Sequence, residues 1–137
     1  MILDVGCGWR NCHNLVENAL HINIQHSEFV DIICDVQHLP FKNKSFSKSI
    51  ATHITEHVDE PIQLIKELIR VTRKTVELLT PHRFSLNARQ KANNNFDRHK
   101  WSFRPLWFHK VLKNFRHHLE NEVRFFGIIY IHVWVYL

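Results

Sequence analysis

Short apolar runs recur along this chain, separated by polar, turn-forming residues, and one longer stretch carries a helical period. Residues 2–5, 19–24, 30–34, 47–52 and 75–80 each have the length and residue types of a strand. Residues 61–72 predict a helix. Pro61 stands in its first turn, Ile62, Ile65, Leu68 and Ile69 make an apolar stripe, and basic residues close it. Leu15, Val16 and Ala19 allow a short helix over 11–19. Residues 82–104 read as a polar, aromatic loop without a period. Leu106, Phe108, Val111, Leu112 and Phe115 predict a helix over 105–118, and residues 122–137 read as one strand with Gly127 as a bulge. Strands alternating with helices predict an α/β fold on a parallel sheet. Repeats and low-complexity tracts are absent from the sequence.

One spacing is unusual for that fold. Only residues 25–29 separate the second and third strands, whereas parallel neighbours normally need a crossover of about a dozen residues or more. Either an extended segment crosses back there, or this edge of the sheet is remodelled.

Length and composition narrow the class. The chain has 137 residues, 45% hydrophobic and 23% charged, which fits one globular domain. No run reaches the roughly 18 apolar residues of a membrane span. Cys7, Cys12 and Cys34 do not make a disulfide framework, so a cytoplasmic protein is expected. A leader peptide is not expected, because an apolar strand opens the chain. The charge of +5 is uneven. Residues 1–81 hold 8 Lys/Arg and 10 Asp/Glu, giving −2; residues 82–137 hold 10 and 3, giving +7. A basic flank suits an anionic partner such as RNA or a phosphorylated small molecule, or else is a solvated surface.

Chemistry enters at Leu3-Asp4-Val5-Gly6-Cys7-Gly8, an apolar strand ending in an acid and a Gly-x-Gly turn that lets the backbone approach a ligand. Further blocks follow in order: Asp35-Val36-Gln37-His38-Leu39-Pro40-Phe41, then residues 46–50, then Glu56-His57-Val58, Glu67-Leu68-Ile69-Arg70-Val71 and Thr80-Pro81-His82. Together they resemble the class I S-adenosylmethionine-dependent methyltransferases, of the type often called methyltransferase type 11. The resemblance covers residues 1 to about 82. It implies a Rossmann-like, doubly wound, mostly parallel sheet with helices on both faces, in three α/β/α layers of reduced size. It also implies a cofactor-binding half over 1–81 and a basic, substrate-side loop, helix and strand over 82–137. The helix that precedes the first strand in the family has no counterpart here, so the chain looks like a trimmed member.

The resemblance further implies S-adenosylmethionine as cofactor and places its contacts. Gly6, Cys7 and Gly8 would pass close to the methionine and ribose, and Asp4 would hold the amino end. Asp35 would accept the adenine amino hydrogen, with the Val36 backbone facing the ring. The backbone at Thr52 and His53 would flank the methyl donor. Gln25 occupies the position where the family has an acid on the ribose hydroxyls, and an amide there weakens binding by roughly 1–2 kcal/mol. Arg10 replaces the third glycine. Arg73-Lys74-Thr75 replaces a Gly-Gly turn before the fifth strand. Glu56 and His57 are expected to organise the turn into the helix. His82 and His99 are the candidate general bases, needed only if the acceptor must lose a proton. Trp101, Phe103 and Trp107 either stack on an acceptor ring or form the core contact of the last helix.

The function these readings support is methyl transfer to an unidentified, anionic acceptor. Arg10, Gln25 and the missing helices also fit a non-catalytic module that kept the fold, acting through a partner protein or as a dimer. His53-Ile54-Thr55-Glu56-His57 matches H-x-x-E-H as well. On a helix this would place both histidines on one face of a zinc hydrolase, with Glu120 or Glu122 as third ligand. That pattern leaves the glycine and Leu-Pro-Phe blocks unexplained. Cys7, Cys12 and His13 have no ligand spacing, and the sequence assigns no metal site.

Overall fold

The computed structural model describes residues 1–6, 16–85, 99–124 and 128–137. Its elements run β1 (Ile2–Val5), β2 (Ala19–Asn23), β3 (Ile32–Ile33), β4 (Phe46–Thr52), α1 (Pro61–Val71), β5 (Thr72–Pro81), α2 (Pro105–Val111), β6 (Arg116–Arg124) and β7 (Ile128–Tyr136). The strands make one 7-stranded sheet in the order β3-β2-β1-β4-β5-β7-β6. Pairing is parallel from β3 to β5, while β7 runs antiparallel between β5 and β6. The chain moves outward from β1 to β3, then returns to the other side of β1 to lay down β4. The crevice between the carboxyl ends of β1 and β4 is therefore the topological switch point, where open α/β sheets bind ligands.

One face of the sheet is apolar because strand side chains alternate. Leu3, Val5, Ala51, Val76, Leu78, Ile131, Val133 and Val135 are buried on it, with Leu64, Ile65, Leu68 and Val71 of α1 and Phe108 of α2 in the same cluster. Helical spacing in α1 supplies that stripe, through Leu64 and Val71 with Ile65 and Leu68, whereas Ile62 of the expected stripe is exposed, and Pro61 pre-sets the first turn. Ser49 and Thr72 are polar within this core, and their hydroxyls pair at 2.6 Å. The alternate positions carry charge instead. Glu77 on β5 pairs with Lys48 on β4 and, at 2.7 Å, with His132 on β7, whose ring stacks on Trp134 at 3.8 Å.

Several boundaries differ from the sequence reading, each for a local reason. The β2–β3 connection does lack a helix. It works because β3 is only two residues long and pairs with the last two residues of β2, so the chain has little distance to return. Asp31 closes it: its N–H donates to His21 O (2.9 Å) and its carboxylate accepts His21 N–H (2.8 Å). Residues 16–19 are not helical; Glu17 and Asn18 form a turn with Asn18 at φ 59°, and residues 11–15 lie outside the described residues. At Arg73 no loop intervenes, since α1 runs straight into β5 and the register with β4 shifts there. The helix expected over 105–118 ends at Val111, and the single strand expected over 122–137 is a hairpin of β6 and β7. β6 was missed because its sequence, RHHLENEVR, has few apolar positions, as suits a strand on the sheet edge. The Gly127 bulge falls outside the described residues.

The segment between β3 and β4 is held by charge. Arg70 on α1 forks onto Glu67 at 2.6 and 2.7 Å, and its guanidinium also donates to Leu39 O (2.9 Å) and Phe41 O (2.7 Å). Glu67 in turn accepts Leu39 N–H at 2.8 Å. The Arg70 hydrogen bond holds the Glu67 carboxyl below its ordinary value of 4.5, against the opposing effect of burial. Because the folded-state value is depressed, the stabilisation is present above pH 4.5 and is lost as pH falls through the lower folded value. Arg70→Ala leaves Glu67 and two carbonyls without this partner and should cost about 2–4 kcal/mol in urea unfolding at neutral pH. Arg70→Lys should recover little of it, because an ammonium cannot fork. Glu67→Gln should flatten the fall in stability below pH 4.5.

Candidate cofactor and acceptor site

The residues after the parallel strands converge on the carboxyl edge of the sheet. Gly6 follows β1, Gln25 follows β2, Asp35 follows β3 and His53 follows β4. Gly6 is required there twice over. Its φ is +71°, and a Cβ would lie 2.8 Å from Ile54 Cβ. Its N–H donates to Ile22 O at 2.9 Å, which fixes the turn against β2. Ile54 thus packs on Gly6 across the β1–β4 crevice, a contact no sequence pattern indicates. Cys7, Gly8 and Arg10 lie outside the described residues.

The other cofactor candidates have definite local roles. Asp4 is 6% exposed and its carboxylate pairs with the His21 ring at 2.9 Å. Burial raises the Asp4 carboxyl, and the His21 hydrogen bond and charge only partly oppose it. Gln25 is half-buried in the bend after β2. Asp35 closes its own turn: Oδ1 accepts Gln37 N–H at 2.9 Å, and the Asp35 carbonyl accepts His38 N–H at 3.0 Å. Val36 is buried in the core and anchors that turn. His53 has φ 55°, donates its N–H to Leu79 O (2.8 Å), pairs through Nδ1 with Glu56 (3.2 Å) and lies edge-on to Tyr130.

Beyond His53 the chain forms turns rather than a helix, which removes the arrangement the H-x-x-E-H reading requires. Glu120 and Glu122 sit on β6, with β5 and β7 between it and β4, so at about 4.8 Å per strand they are too far to join His53 and His57. Glu56 is a hub instead. Its carboxylate accepts Thr80 O–H at 3.1 Å, and its carbonyl accepts the N–H groups of Lys100 (2.8 Å) and Trp101 (3.2 Å). Trp101 Nε1 donates to Val58 O at 2.9 Å, and Lys100 pairs with Asp59. Residues 99–101 are thereby pinned across the turn that follows β4. The His99 ring lies edge-on to His57, with centroids 4.8 Å apart.

His82 and His99 are in different surroundings. His82 lies at the end of β5, bridged to Phe103, and its Nδ1 accepts Phe84 N–H at 3.2 Å. A neutral ring bonded this way carries its proton on Nε2 and offers a donor there. Burial, and then the charges of Arg104 and Arg83, push the His82 pKa below 6.5. Phe103 is buried and packs with Trp107 and Phe108, so those rings serve the core, while Trp101 is exposed.

The model of the methyltransferase domain family matches residues 3–80, more than half of the chain. This chain belongs to the type 11 methyltransferase domain family. No curated protein matches it. Solved structures share the fold of this methyltransferase domain at low identity. One is a SAM-dependent methyltransferase from Archaeoglobus fulgidus, with a TM-score of 0.73 and 16% identity over 99% of this chain and 85% of that one. Another is the 1,6-didemethyltoxoflavin-N1-methyltransferase of Burkholderia thailandensis, bound to 1,6-didemethyltoxoflavin and S-adenosylhomocysteine, with a TM-score of 0.71 and 13% identity over 98% and 69%. A third is a methyltransferase of Haloferax volcanii in complex with its Trm112 activator, with a TM-score of 0.67 and 12% identity over 98% and 81%. No described helix of the methyltransferase domain is long and apolar enough to cross a membrane.

Two outcomes are expected at this edge. Gly6→Ala must place a Cβ in the left-handed region and against Ile54, and should lower unfolding stability by about 2–4 kcal/mol. The His82 ring, followed by NMR titration, should show a midpoint below 6.5. Arg104→Ala should bring it only part of the way back, because burial is the larger cause.

Proposed function

We propose that this methyltransferase domain transfers a methyl group to an anionic acceptor at the carboxyl edge of β4 and β5. The observation that carries the reading is the crevice at the switch point, where Gly6 must be glycine and Ile54 closes on it. The cofactor is S-adenosylmethionine, which supplies an electrophilic methyl group when bound. The residues present fit it: the Gly6 turn allows close backbone approach, and the Asp35 turn follows the edge strand β3, with β2 between it and β1. Gly6, Cys7, Gly8, Gln25 and Asp35 with Val36 would hold it, and the His53 backbone would border the methyl. Asp4 would act through its cross-strand pair with His21 on β2. Gln25 lacks the charge of an acid and would bind the ribose less tightly.

Alignment supplies much of the rate of an in-line displacement, so the pinning of residues 99–101 across Glu56 matters more than any single base. His82 would orient the acceptor through Nε2–H, and His99 is the remaining candidate base. The basic part, residues 82–137, would attract the acceptor, RNA or a phosphorylated small molecule, and residues 1–81 would hold the cofactor. A protein partner is a further reading, supported by the activator complex of the Haloferax volcanii relative.

Calorimetric titration with S-adenosylmethionine and S-adenosylhomocysteine should give micromolar binding, about tenfold weaker in Asp35→Ala. A folded protein that does not bind either at millimolar concentration would leave only a non-catalytic module. An anionic acceptor requires affinity that falls steeply with salt; salt-independent capture of the acceptor would remove that part of the reading.

A further inference from the structure

Glu56, His57 and His99 each bring a ligand-type atom to within 4.8 Å of the others. We propose that these three side chains form a binding site for a divalent transition metal of the zinc type, beside the carboxyl end of β4. The inference stands on this cluster and not on methyl transfer.

Five observations support it. Glu56 is 1% exposed, so its carboxylate is a buried charge that needs several partners. Thr80 and His53 each occupy one oxygen, at 3.1 and 3.2 Å, and orient the group as outer partners orient a metal-binding carboxylate. A carboxylate has about four lone-pair sites, so capacity for a cation remains. His99 Nδ1 is buried and has no hydrogen-bond partner among the described residues. Such an atom is destabilising unless it finds a partner, and a cation bound to it would supply one. The two hydrogen bonds from Lys100 and Trp101 to the Glu56 carbonyl fix His99 beside Glu56, although they are far apart in sequence. The His57 and His99 rings are already in contact at 4.8 Å.

The donor set selects the cation. Two imidazoles and one carboxylate suit zinc, with a fourth position open, whereas magnesium and calcium prefer oxygen alone. Ligands about 2.0–2.2 Å from a tetrahedral ion lie roughly 3.3–3.5 Å apart. Binding would have to draw the three atoms in from the present spacing of up to 4.8 Å. A cation held there makes His99 a ligand and takes it out of the role of base.

Zinc titration of chelator-treated protein against a competing chromophoric chelator, without S-adenosylmethionine, tests the site. The expected result is one zinc per chain at micromolar affinity or better, not displaced by millimolar magnesium. His99→Ala and Glu56→Gln should each weaken it at least about 100-fold, with circular dichroism and metal-free thermal unfolding showing that they fold. His57→Ala should do the same; if it fails to fold, the other two variants decide. His109→Gln combined with His117→Gln removes an exposed histidine pair elsewhere, 2.9 Å apart, and should change nothing. Zinc binding only at millimolar concentration, or binding lost in the His109/His117 variant but kept in His99→Ala, would overturn the proposal. Either result leaves the methyltransferase reading intact, since that reading is decided by cofactor calorimetry.

Discussion

The fork between Arg70 and Glu67 is the interaction on which the return from β3 to β4 depends. It joins α1 to the segment that returns from β3 to β4, through Leu39, Phe41 and the Glu67 carboxylate. The Arg70 carbonyl adds Lys44 N–H at 2.9 Å. That return is the step that creates the switch point, because it carries the chain from one side of β1 to the other. Asp35 and Val36 sit at its start, so an ion pair on a helix anchors the segment that continues from the Asp35 turn. The D-x-x-x-L-P-F and E-x-x-R-V blocks are thus two halves of one device. Apolar packing alone would not fix this segment, since a loop backbone needs its polar groups satisfied wherever it is buried.

Glu56 plays the corresponding role in the turn after β4. A buried carboxylate in a turn is costly unless it is bonded, and here it gathers Thr80 from β5, His53 from the end of β4 and, through its backbone, residues 99–101. The two devices divide the carboxyl edge into a glycine-lined crevice at β1 and β4 and a histidine-rich wall at β4 and β5. The proposed acceptor surface and the proposed zinc-type ligand set share this wall. Which chemistry it performs is a matter of what occupies it, since this scaffold serves many reactions.

How much was legible depended on range. The apolar runs of β1, β2 and β4 and the stripe of α1 announce themselves, because burial of one face imposes a period that local sequence must carry. β6 did not, because an edge strand is selected for charge and not for burial. The early end of α2 was hidden for a related reason: Phe115 continues the helical spacing, yet Leu112 already closes the helix with its N–H on Phe108 O at 2.8 Å. In the site, Gly6 and Asp35 could be named from motifs whose spacing is short. The contact of Ile54 with Gly6 and those of Glu56 with Thr80 and residues 99–101 could not.

The sequence by itself determined the α/β class, the family, the glycine turn after β1 and the separate Leu-Pro-Phe and Glu-x-x-Arg blocks, since these rest on residue types and on spacings within single elements. Only the tertiary structure decided that His53-x-x-Glu56-His57 is a turn and not a metalloprotease helix, that Asp4 is paired with His21, and that His99 lies against His57 and Glu56. The physical reason is that these outcomes depend on contacts between strands and loops far apart in the chain. Such contacts are fixed by sheet order and hydrogen-bond satisfaction, and neither is written in any one segment.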